Sequence, residues 1–456
     1  MTEKSTWLAK GMIKKSTLLA ISFYVMAAII FSNINGLVYS LYSIAAPFSS
    51  FILVSCLTIT FFLFRYERIT LPHHLFNFTI IGYFVIGGIM WCFFSHLHNP
   101  NVPYYHVFRK QAPALLLLYA FYKYVVYEGN RNGLGNLLVF ITIFAFLITL
   151  TIPFGELIGL KKFLIYESKS RQSGVFASPN KAGEHINYTM ALVLFLTINS
   201  KRWSWLFIAL LPMVLYSTLL TFSKSAIISA LLLIVFFLFV NVRGYTKLGK
   251  SRRRKLGILL ILVFGVVIYS IPIITEFVSK LNTQQMARLT QVQGLLQGRV
   301  DSETTTQRSS LWETGFGIIK EFPITGHGFG SFSELPGGSL GIHNTYLMIL
   351  GESGIFPFIL FMSFIVLLYY RSFFWVRDPG YQFLAVSLCI IITIQVYMTG
   401  NGGIKTSETL AMTGILLAIL KLMKGKLVHH ALSKPKRRIL WWQSFHESIG
   451  TNKRKD

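Results

Sequence analysis

Long apolar runs recur along most of this chain of 456 residues, and short polar stretches separate most of them. A helix of roughly 20 residues spans the hydrocarbon core of a bilayer, which is about 30 Å thick. The composition agrees, because 53% of the residues are hydrophobic and only 13% are charged, an imbalance that ordinary soluble domains do not show. The sequence therefore predicts an all-α polytopic membrane protein.

The apolar runs predict about twelve transmembrane helices in a single integral membrane domain that covers residues 1–456. Two assignments have alternatives. The run at 107–122 opens with two charges, Arg109 and Lys110, and the runs on either side of Ser223-Lys224-Ser225 also fit one long kinked helix. The predicted spans are 16–34, 40–64, 75–95, 107–122, 134–152, 183–200, 203–221, 226–242, 256–275, 354–371, 381–399 and 407–422.

Basic residues set the predicted orientation. With the N-terminus in the cytoplasm, the inner segments hold 29 of the 43 Lys and Arg residues. This positive-inside excess predicts an even number of spans with both termini in the cytoplasm. Most acidic residues, Glu184 and Glu408 among them, fall on the outer side. The inner segments are 1–15, 65–74, 123–133, 201–202, 243–255, 371–380 and 421–456.

The net charge of +26 is therefore mostly a signal of orientation. Basic runs lie at 252–255 and at 434–438, the second inside a basic cytoplasmic tail at 424–456. Anionic lipid headgroups on the cytoplasmic face are their expected partner, rather than nucleic acid.

Neither the cysteines nor the histidines predict a metal site. Cys56, Cys92 and Cys389 all lie within predicted spans, and the histidines show no spacing typical of metal ligands. We expect no metal and no cofactor.

Two predicted outer loops, 153–182 and 276–342, are much longer than the other connections, and long loops usually carry function. The larger loop precedes the tenth span and is predicted to be partly helical. Its residues Leu311, Trp312, Gly315, Phe316 and Ile319 follow the spacing of one helix face. A proline at 323 ends that pattern, and the glycine-rich turn GHGFGSF follows at 326–332.

Several short blocks resemble those of one known family. RSSLW at 308–312, FPITGHGFGSF at 322–332 and HNTYL at 343–347 follow one another as in the O-antigen ligase and polymerase superfamily. RQSGVFASPNKAG at 171–183 is similar to that family's arginine-containing loop, and LLTFSKSA at 219–226 to its Thr-x-Ser-Arg segment. The resemblance implies a GT-C-like membrane fold.

The resemblance also implies a metal-independent glycosyltransferase at the periplasmic face of a bacterial inner membrane. Its donor would be a glycan on undecaprenyl diphosphate, and its acceptor a sugar hydroxyl of lipid A-core, which is O-antigen ligation. A repeat-unit polymerase differs mainly in the acceptor, and a protein O-oligosaccharyltransferase is a third choice. A glycan transporter is the alternative outside enzymes, although transporters typically show related halves and short loops.

His343 is the predicted general base. It stands where a polar segment gives way to an apolar one, and an imidazole titrates near pH 6.5, so it can take a proton from the acceptor hydroxyl. The alternative is that His343 and Asn344 only cap a helix. Glu352 lies nine positions further on, which is the opposite face of a straight helix, so the two form no dyad unless Gly351 breaks the helix.

Cations near the diphosphate would stabilise the charge that develops as it leaves. The family resemblance assigns this part to Arg171 and Lys224, and Lys224 replaces a family arginine by a point charge without a bidentate fork. Arg308 binds a phosphate or begins the loop helix. Asn180 is a further candidate for substrate contact, as is Asn344. His327, in the glycine-rich turn at 326–332, is the alternative base.

Overall fold

The chain is described here by a computed structural model. It describes residues 15–34, 36–38, 48–66, 82, 85–87, 89, 105–131, 133–155, 157, 171–176, 178–200, 202–243, 253–258, 283–296, 302–327, 344–397 and 407–423. These residues are almost entirely helical, and none of those described belongs to a strand. The predicted all-α class is confirmed over these ranges.

The helices are numbered in chain order. They are α1 (Lys15–Phe31), α2 (Phe48–Tyr66), α3 (Tyr105–Asn130), α4 (Leu134–Thr149), α5 (Thr151–Phe154), α6 (Pro179–Asn199), α7 (Ser204–Leu220), α8 (Lys224–Arg243), α9 (Thr283–Leu296), α10 (Ser302–Glu321), α11 (Thr345–Ser353), α12 (Ile355–Phe374), α13 (Pro379–Ile390) and α14 (Ser407–Met423). A π-helical stretch, Ile391–Tyr397, continues α13 and is called the π segment below.

Several helices are long and apolar enough to cross a membrane. Within the described residues these are Leu134–Phe154, Lys224–Val242 and Ile355–Phe374, and shorter apolar helices include Ser204–Leu220 and Pro379–Gln395. The chain is therefore a multi-pass membrane protein. The count of twelve spans and the GT-C-like arrangement stay predictions, since the predicted spans 75–95 and 256–275 lie mostly outside the described residues.

The structure decides between the alternatives for the two predicted spans that had them. The run at 107–122 lies inside one continuous helix, α3, which contains Pro113 and extends to Asn130. The predicted inner segment at 123–133 is thus mostly helix. The runs around Ser223 form two helices, because α7 ends at Leu220 and α8 begins at Lys224.

Helix α6 is the most enclosed element near the candidate site. Apart from Asn180 and Lys181 in its first turn, all of its residues are buried, and it packs against α4, α7, α8 and α13. A helix surrounded by protein can carry polar side chains at membrane depth, because they find partners away from lipid. Helix α14 is almost as enclosed, and it packs mainly against α3.

The segment predicted to be the larger outer loop, 276–342, contains the helices α9 and α10, in agreement with its predicted partial helicity. Helix α10 ends at Glu321, just before Pro323. The predicted apolar face is narrower than expected. Ile319 is buried against Leu347 of α11, whereas Phe316 is 47% exposed. Phe316 comes one position after Gly315, which is buried. Because each residue turns a helix by about 100°, Phe316 lies outside the buried face.

Candidate active site

The first turn of α6 forms one side of the candidate site. Ser178 has an extended backbone and caps the helix, since its Oγ accepts a hydrogen bond from the Lys181 backbone N–H at 3.3 Å. Pro179 occupies the first helical position, where its missing N–H costs nothing. The sequence Ser-Pro-Asn therefore fixes where α6 begins and places Asn180 in its first turn.

Arg171 contacts both α6 and the end of α7. Its Nη2 donates to Asn180 Oδ1 at 3.1 Å, and its Nε donates to the Thr221 carbonyl oxygen at 3.2 Å. The next residue, Gln172, donates its backbone N–H to the Leu220 carbonyl at 3.1 Å. The guanidinium is half-buried, and these two neutral acceptors orient it.

Ser223 joins the start of α8 to the same amide. Its Oγ donates to Asn180 Oδ1 at 3.0 Å, so this one oxygen accepts from both Arg171 and Ser223. Lys224, the next residue, is the first of α8 and is half-buried. The structure thus brings Arg171 and Asn180 into contact. It places Lys224 next to Ser223, which also donates to Asn180.

The turn between α7 and α8 is tightly built. Phe222 has a φ of 45°, in the left-handed region that residues other than glycine seldom adopt. Thr221 supports it on both sides, because its Oγ1 donates to the Thr218 carbonyl at 2.8 Å and accepts from the Ser223 N–H at 3.2 Å. Backbone strain of this kind often marks functional sites and costs about 1–3 kcal/mol.

A second polar network lies in the first turns of α6, where α14 begins. Lys181 Nζ lies 2.6 Å from Glu184 Oε2, and Glu184 Oε1 accepts from Thr409 Oγ1 at 2.8 Å. His185 Nδ1 lies 2.7 Å from Glu408 Oε1. These contacts attach the first turns of α6 to the first turn of α14.

The His185 ring is fully buried and bonded at both nitrogens. Its Nε2 lies 2.8 Å from the Ala145 carbonyl, which can only accept, so Nε2 carries a proton. The contact between Nδ1 and the Glu408 carboxyl also requires a proton between the two atoms. With both nitrogens engaged, His185 holds helices together and has no nitrogen left to act as a base.

Asn344 begins α11. Its backbone is extended, and its Oδ1 accepts from the N–H groups of Tyr346 at 3.0 Å and Leu347 at 3.2 Å. This is the N-cap arrangement that the sequence offered as the alternative for Asn344. His343 lies outside the described residues, immediately before this cap.

Comparison with known families identifies the central part of the chain. Residues 208–362 match the family model described as O-antigen ligase. This region is similar to the O-antigen ligase family. The predicted resemblance is confirmed, and the match supports glycosyl transfer of the O-antigen ligase or polymerase type. No curated protein matches the chain.

The O-antigen ligase region contains the strained turn, Lys224 and α11, but not all of the candidate site. Arg171 and Asn180 precede residue 208, and they reach the matched region through Thr221 and Ser223. The site is therefore assembled from the family region and the segment before it.

The segment from Pro323 to His327, which leads into the glycine-rich turn, packs against the end of α11 and the start of α12. The His327 N–H donates to the Gly351 carbonyl at 2.8 Å, and the Ile355 N–H donates to the Pro323 carbonyl at 3.1 Å. Gly326 has a φ of 72°, and a Cβ there would lie 2.6 Å from the Glu352 carbonyl carbon and oxygen. Only glycine fits this position, so the loop is fixed to the helix that follows His343.

The remaining sequence candidates are placed only in part. Arg308 is a residue of α10, and its side chain falls outside the described part. His327, the alternative base, uses Nε2 toward the Ile318 carbonyl. Helix α11 continues through Gly351 and Glu352 is buried, so no helix break brings Glu352 round toward position 343.

Sequence reasoning missed Ser223, Thr221, His185 and Glu408 as parts of the site. Ser223 and Thr221 lie in the block at 219–226, in which Lys224 alone was predicted to be a site residue. His185 and Glu408 are 223 positions apart, so no local spacing could indicate their contact. Within the described ranges, His, Cys, Asp and Glu form no cluster of three or more suited to a metal ion.

Proposed function

We propose that this protein transfers a glycan from undecaprenyl diphosphate to a sugar hydroxyl at the periplasmic face of a bacterial inner membrane. The acceptor is lipid A-core, which makes the reaction an O-antigen ligation. The observation that carries the proposal is the cationic cluster in which Arg171, Asn180 and Ser223 hold one another beside Lys224. The O-antigen ligase match over 208–362 supports the reaction class.

The cluster suits a diphosphate leaving group. As the bond between C1 of the sugar and the phosphate oxygen breaks, negative charge accumulates on the diphosphate, and fixed cations lower the energy of that state. Arg171 and Lys224 supply the charge, and Arg308 is a further cation for the phosphates. A carbonyl oxygen and an amide oxygen accept from the Arg171 guanidinium and orient it.

Asn180 takes a positioning role in this proposal. Its Oδ1 accepts from both Arg171 and Ser223, which ties the arginine to the start of α8. These hydrogen bonds orient the arginine, and the cations that Asn180 aligns contact the substrate.

His343 acts as the general base. The acceptor oxygen attacks C1, the diphosphate departs with the electrons of the C1–O bond, and His343 takes the proton of the acceptor hydroxyl. The Asn344 cap fixes the start of α11, the helix that follows His343 in the sequence. Such base assistance accelerates a reaction by about 10²- to 10⁴-fold.

The alternative functions differ in the acceptor of the glycan, or in whether the glycan is transferred at all. A repeat-unit polymerase would use the same donor and cations, with the end of another lipid-linked glycan as acceptor. A protein O-oligosaccharyltransferase would use a protein hydroxyl, and a transporter would move the donor unchanged. Membrane lipids surround the site in every case, and no metal or cofactor takes part.

The test is a transfer assay with the purified protein in nanodiscs. Undecaprenyl-diphosphate glycan is supplied with lipid A-core, with a second lipid-linked glycan or with a hydroxyl-bearing acceptor protein, in the presence of EDTA. We expect product only with lipid A-core. Product with the second glycan would make the protein a polymerase, product with the protein acceptor a protein oligosaccharyltransferase, and no product with any acceptor would refute glycosyl transfer.

A further inference from the structure

The π segment, Ile391–Tyr397, is an unusual element beside the candidate site. π-helical turns are rare in proteins and occur frequently at functional sites. Here seven residues continue α13, and the segment contacts α6, α8 and α11. Two of its side chains, Thr393 and Gln395, are almost completely buried.

Gln395 connects the π segment to the cation side of the site. Its Oε1 accepts from Asn187 Nδ2 at 2.7 Å, and the same Nδ2 donates to the Ala226 carbonyl at 3.0 Å. A single amide nitrogen therefore joins the π segment, α6 and the first turn of α8.

The contact surface of α6 is the same one that holds Arg171. Asn180, Gly183 and Asn187 are spaced three and four residues apart and share one helix face. A Cβ on Gly183 would lie 2.4 Å from the Ala226 Cβ and 3.6 Å from Gln395 Nε2. Gln395 thus lies against the face of α6 that carries Asn180, about two turns further along the helix.

Thr393 connects the π segment to the helix that follows His343. Tyr346 Oη donates to the Thr393 carbonyl at 3.0 Å. Thr393 Oγ1 donates to the Cys389 carbonyl at 2.7 Å, so the 2.7 Å contact with Tyr369 Oη is one in which the tyrosine donates. Tyr346 is only two residues after the Asn344 cap.

We propose that the π segment positions the cation side and the base side of the site relative to each other, with Gln395 and Thr393 as the positioning residues. Gln395 holds Asn187 through its side chain, and Thr393 holds Tyr346 through its backbone carbonyl, so one short segment contacts both sides of the site. This inference rests on the proposed function. It adds an element that no short motif of the family region contains, since Gln395 lies beyond residue 362.

The expected signature is a loss of turnover with intact donor binding. Gln395→Ala removes the acceptor of Asn187, while Arg171 and Lys224 keep their own contacts. We expect the donor Kd to stay within about twofold, and kcat to fall by about 10- to 100-fold, because misplacement by about 1 Å can cost 10²-fold in rate. Tyr346→Phe, which removes the hydroxyl that donates to the Thr393 carbonyl, should show the same split.

An exchange of the two amides provides the rescue. Asn187→Gln and Gln395→Asn each change the reach of one partner, whereas the double variant restores their summed length. We expect the kcat of the double variant to be at least about tenfold higher than that of either single variant. Ile394→Leu is the matched control, since Ile394 lies between the two positioning residues and is exposed.

The measurements are donor binding, kcat and thermal melting on the same nanodisc samples. Full turnover in Gln395→Ala would overturn the inference, and so would a loss of turnover that only parallels a loss of donor binding or of folded protein. If wild-type protein transfers no glycan, the proposed function fails and this inference fails with it. An active wild type with an equally active Gln395→Ala refutes the positioning role alone.

Discussion

At the residue scale, the positive charges beside Asn180 suit the site to stabilising negative charge. Arg171 is held by two neutral acceptors, and Lys224 begins α8 next to Ser223. Arginine and lysine differ here, because only the guanidinium can grip a phosphate with two parallel N–H groups. The site therefore combines one oriented fork with one point charge.

Removing either cation should stop the reaction without unfolding the protein. We expect Arg171→Ala and Lys224→Ala each to lower kcat by about 10²- to 10³-fold, the usual cost of one lost electrostatic stabiliser. Lys224→Arg should retain or raise activity. Transfer is measured on purified protein after membrane insertion is verified. Wild-type turnover in both alanine variants would remove the cation assignment.

Replacing the proposed base should separate binding from transfer. His343→Gln preserves much of the size and hydrogen-bonding capacity but cannot accept a proton at neutral pH. It should bind donor nearly as well as wild type and lose about 10²- to 10⁴-fold in kcat.

The wild-type kcat should depend on pH in the direction of a base. It should fall toward the acidic end of a series from pH 5 to 9, because a protonated imidazole cannot take another proton, and His343→Gln should lose this dependence. Transfer by His343→Gln near the wild-type rate would leave His343 a structural residue, with His327 as the next base to test.

The cap at Asn344 should be measurable as stability. Asn344→Ala removes the acceptor for two backbone N–H groups and should cost about 0.5–2 kcal/mol, whereas Asn344→Asp and Asn344→Ser keep a capping oxygen. Thermal melting in detergent compares the three. Equal melting of the alanine variant and wild type would contradict the capping role and return Asn344 to the list of substrate contacts.

At the element scale, the site depends on how closely helices approach one another. Gly183 allows α6 to pass α8 at Ala226, and the π segment fits against the same crossing. The crossing sets the separation between Asn180 on one helix and Ser223 before the other. Small residues at such crossings are typical of membrane helices, because backbones can then approach closely.

A methyl group at this crossing should disturb the site. In Gly183→Ala the new Cβ would lie 2.4 Å from the Ala226 Cβ, which forces α6 and α8 apart. We expect a lower melting temperature and reduced transfer. Gly135→Ala in α4 is the matched control, since nothing lies within 4 Å of its Cβ, and alanine favours helix by up to about 1 kcal/mol. Equal melting of the two variants would contradict the crossing.

Much of the element scale was predictable from sequence. Apolar runs predicted the helices, Pro323 the end of α10 and Asn344 the start of α11, because caps and breakers act within a few residues. The π segment was not predictable, since residues 381–399 show only the composition of an ordinary span. Asn187 and Gln395 are 208 positions apart, so their contact is set by packing and leaves no local pattern.

At the scale of the whole molecule, the described functional groups gather where helices begin or end. The start of α6, the end of α7 and the start of α8 meet at Asn180, and the start of α14 meets α6 at Glu184 and His185. All of these ends fall on the outer side of the predicted topology. The positive-inside asymmetry therefore predicts that the whole site faces the periplasm.

Sidedness can be measured directly. In a background without native cysteines, Ser333→Cys in the larger loop should react with a membrane-impermeant maleimide added to the outside of the inner membrane. Ser433→Cys in the basic tail is the control and should react only after the membrane is breached. The reverse pattern would overturn the orientation, and the periplasmic mechanism with it.

The burial of α14 has a consequence for the order in which the protein matures. Ribosomes deliver helices from the N-terminus onward, and domains tend to fold in that order. Glu408 and Thr409, which pair with His185 and Glu184, emerge more than two hundred positions after their partners. A nascent chain that has already inserted Arg171, Lys224 and His343 still lacks the contacts that steady the first turns of α6. The contacts that steady the first turns of α6 therefore form only once the segment at 407–423 has been inserted.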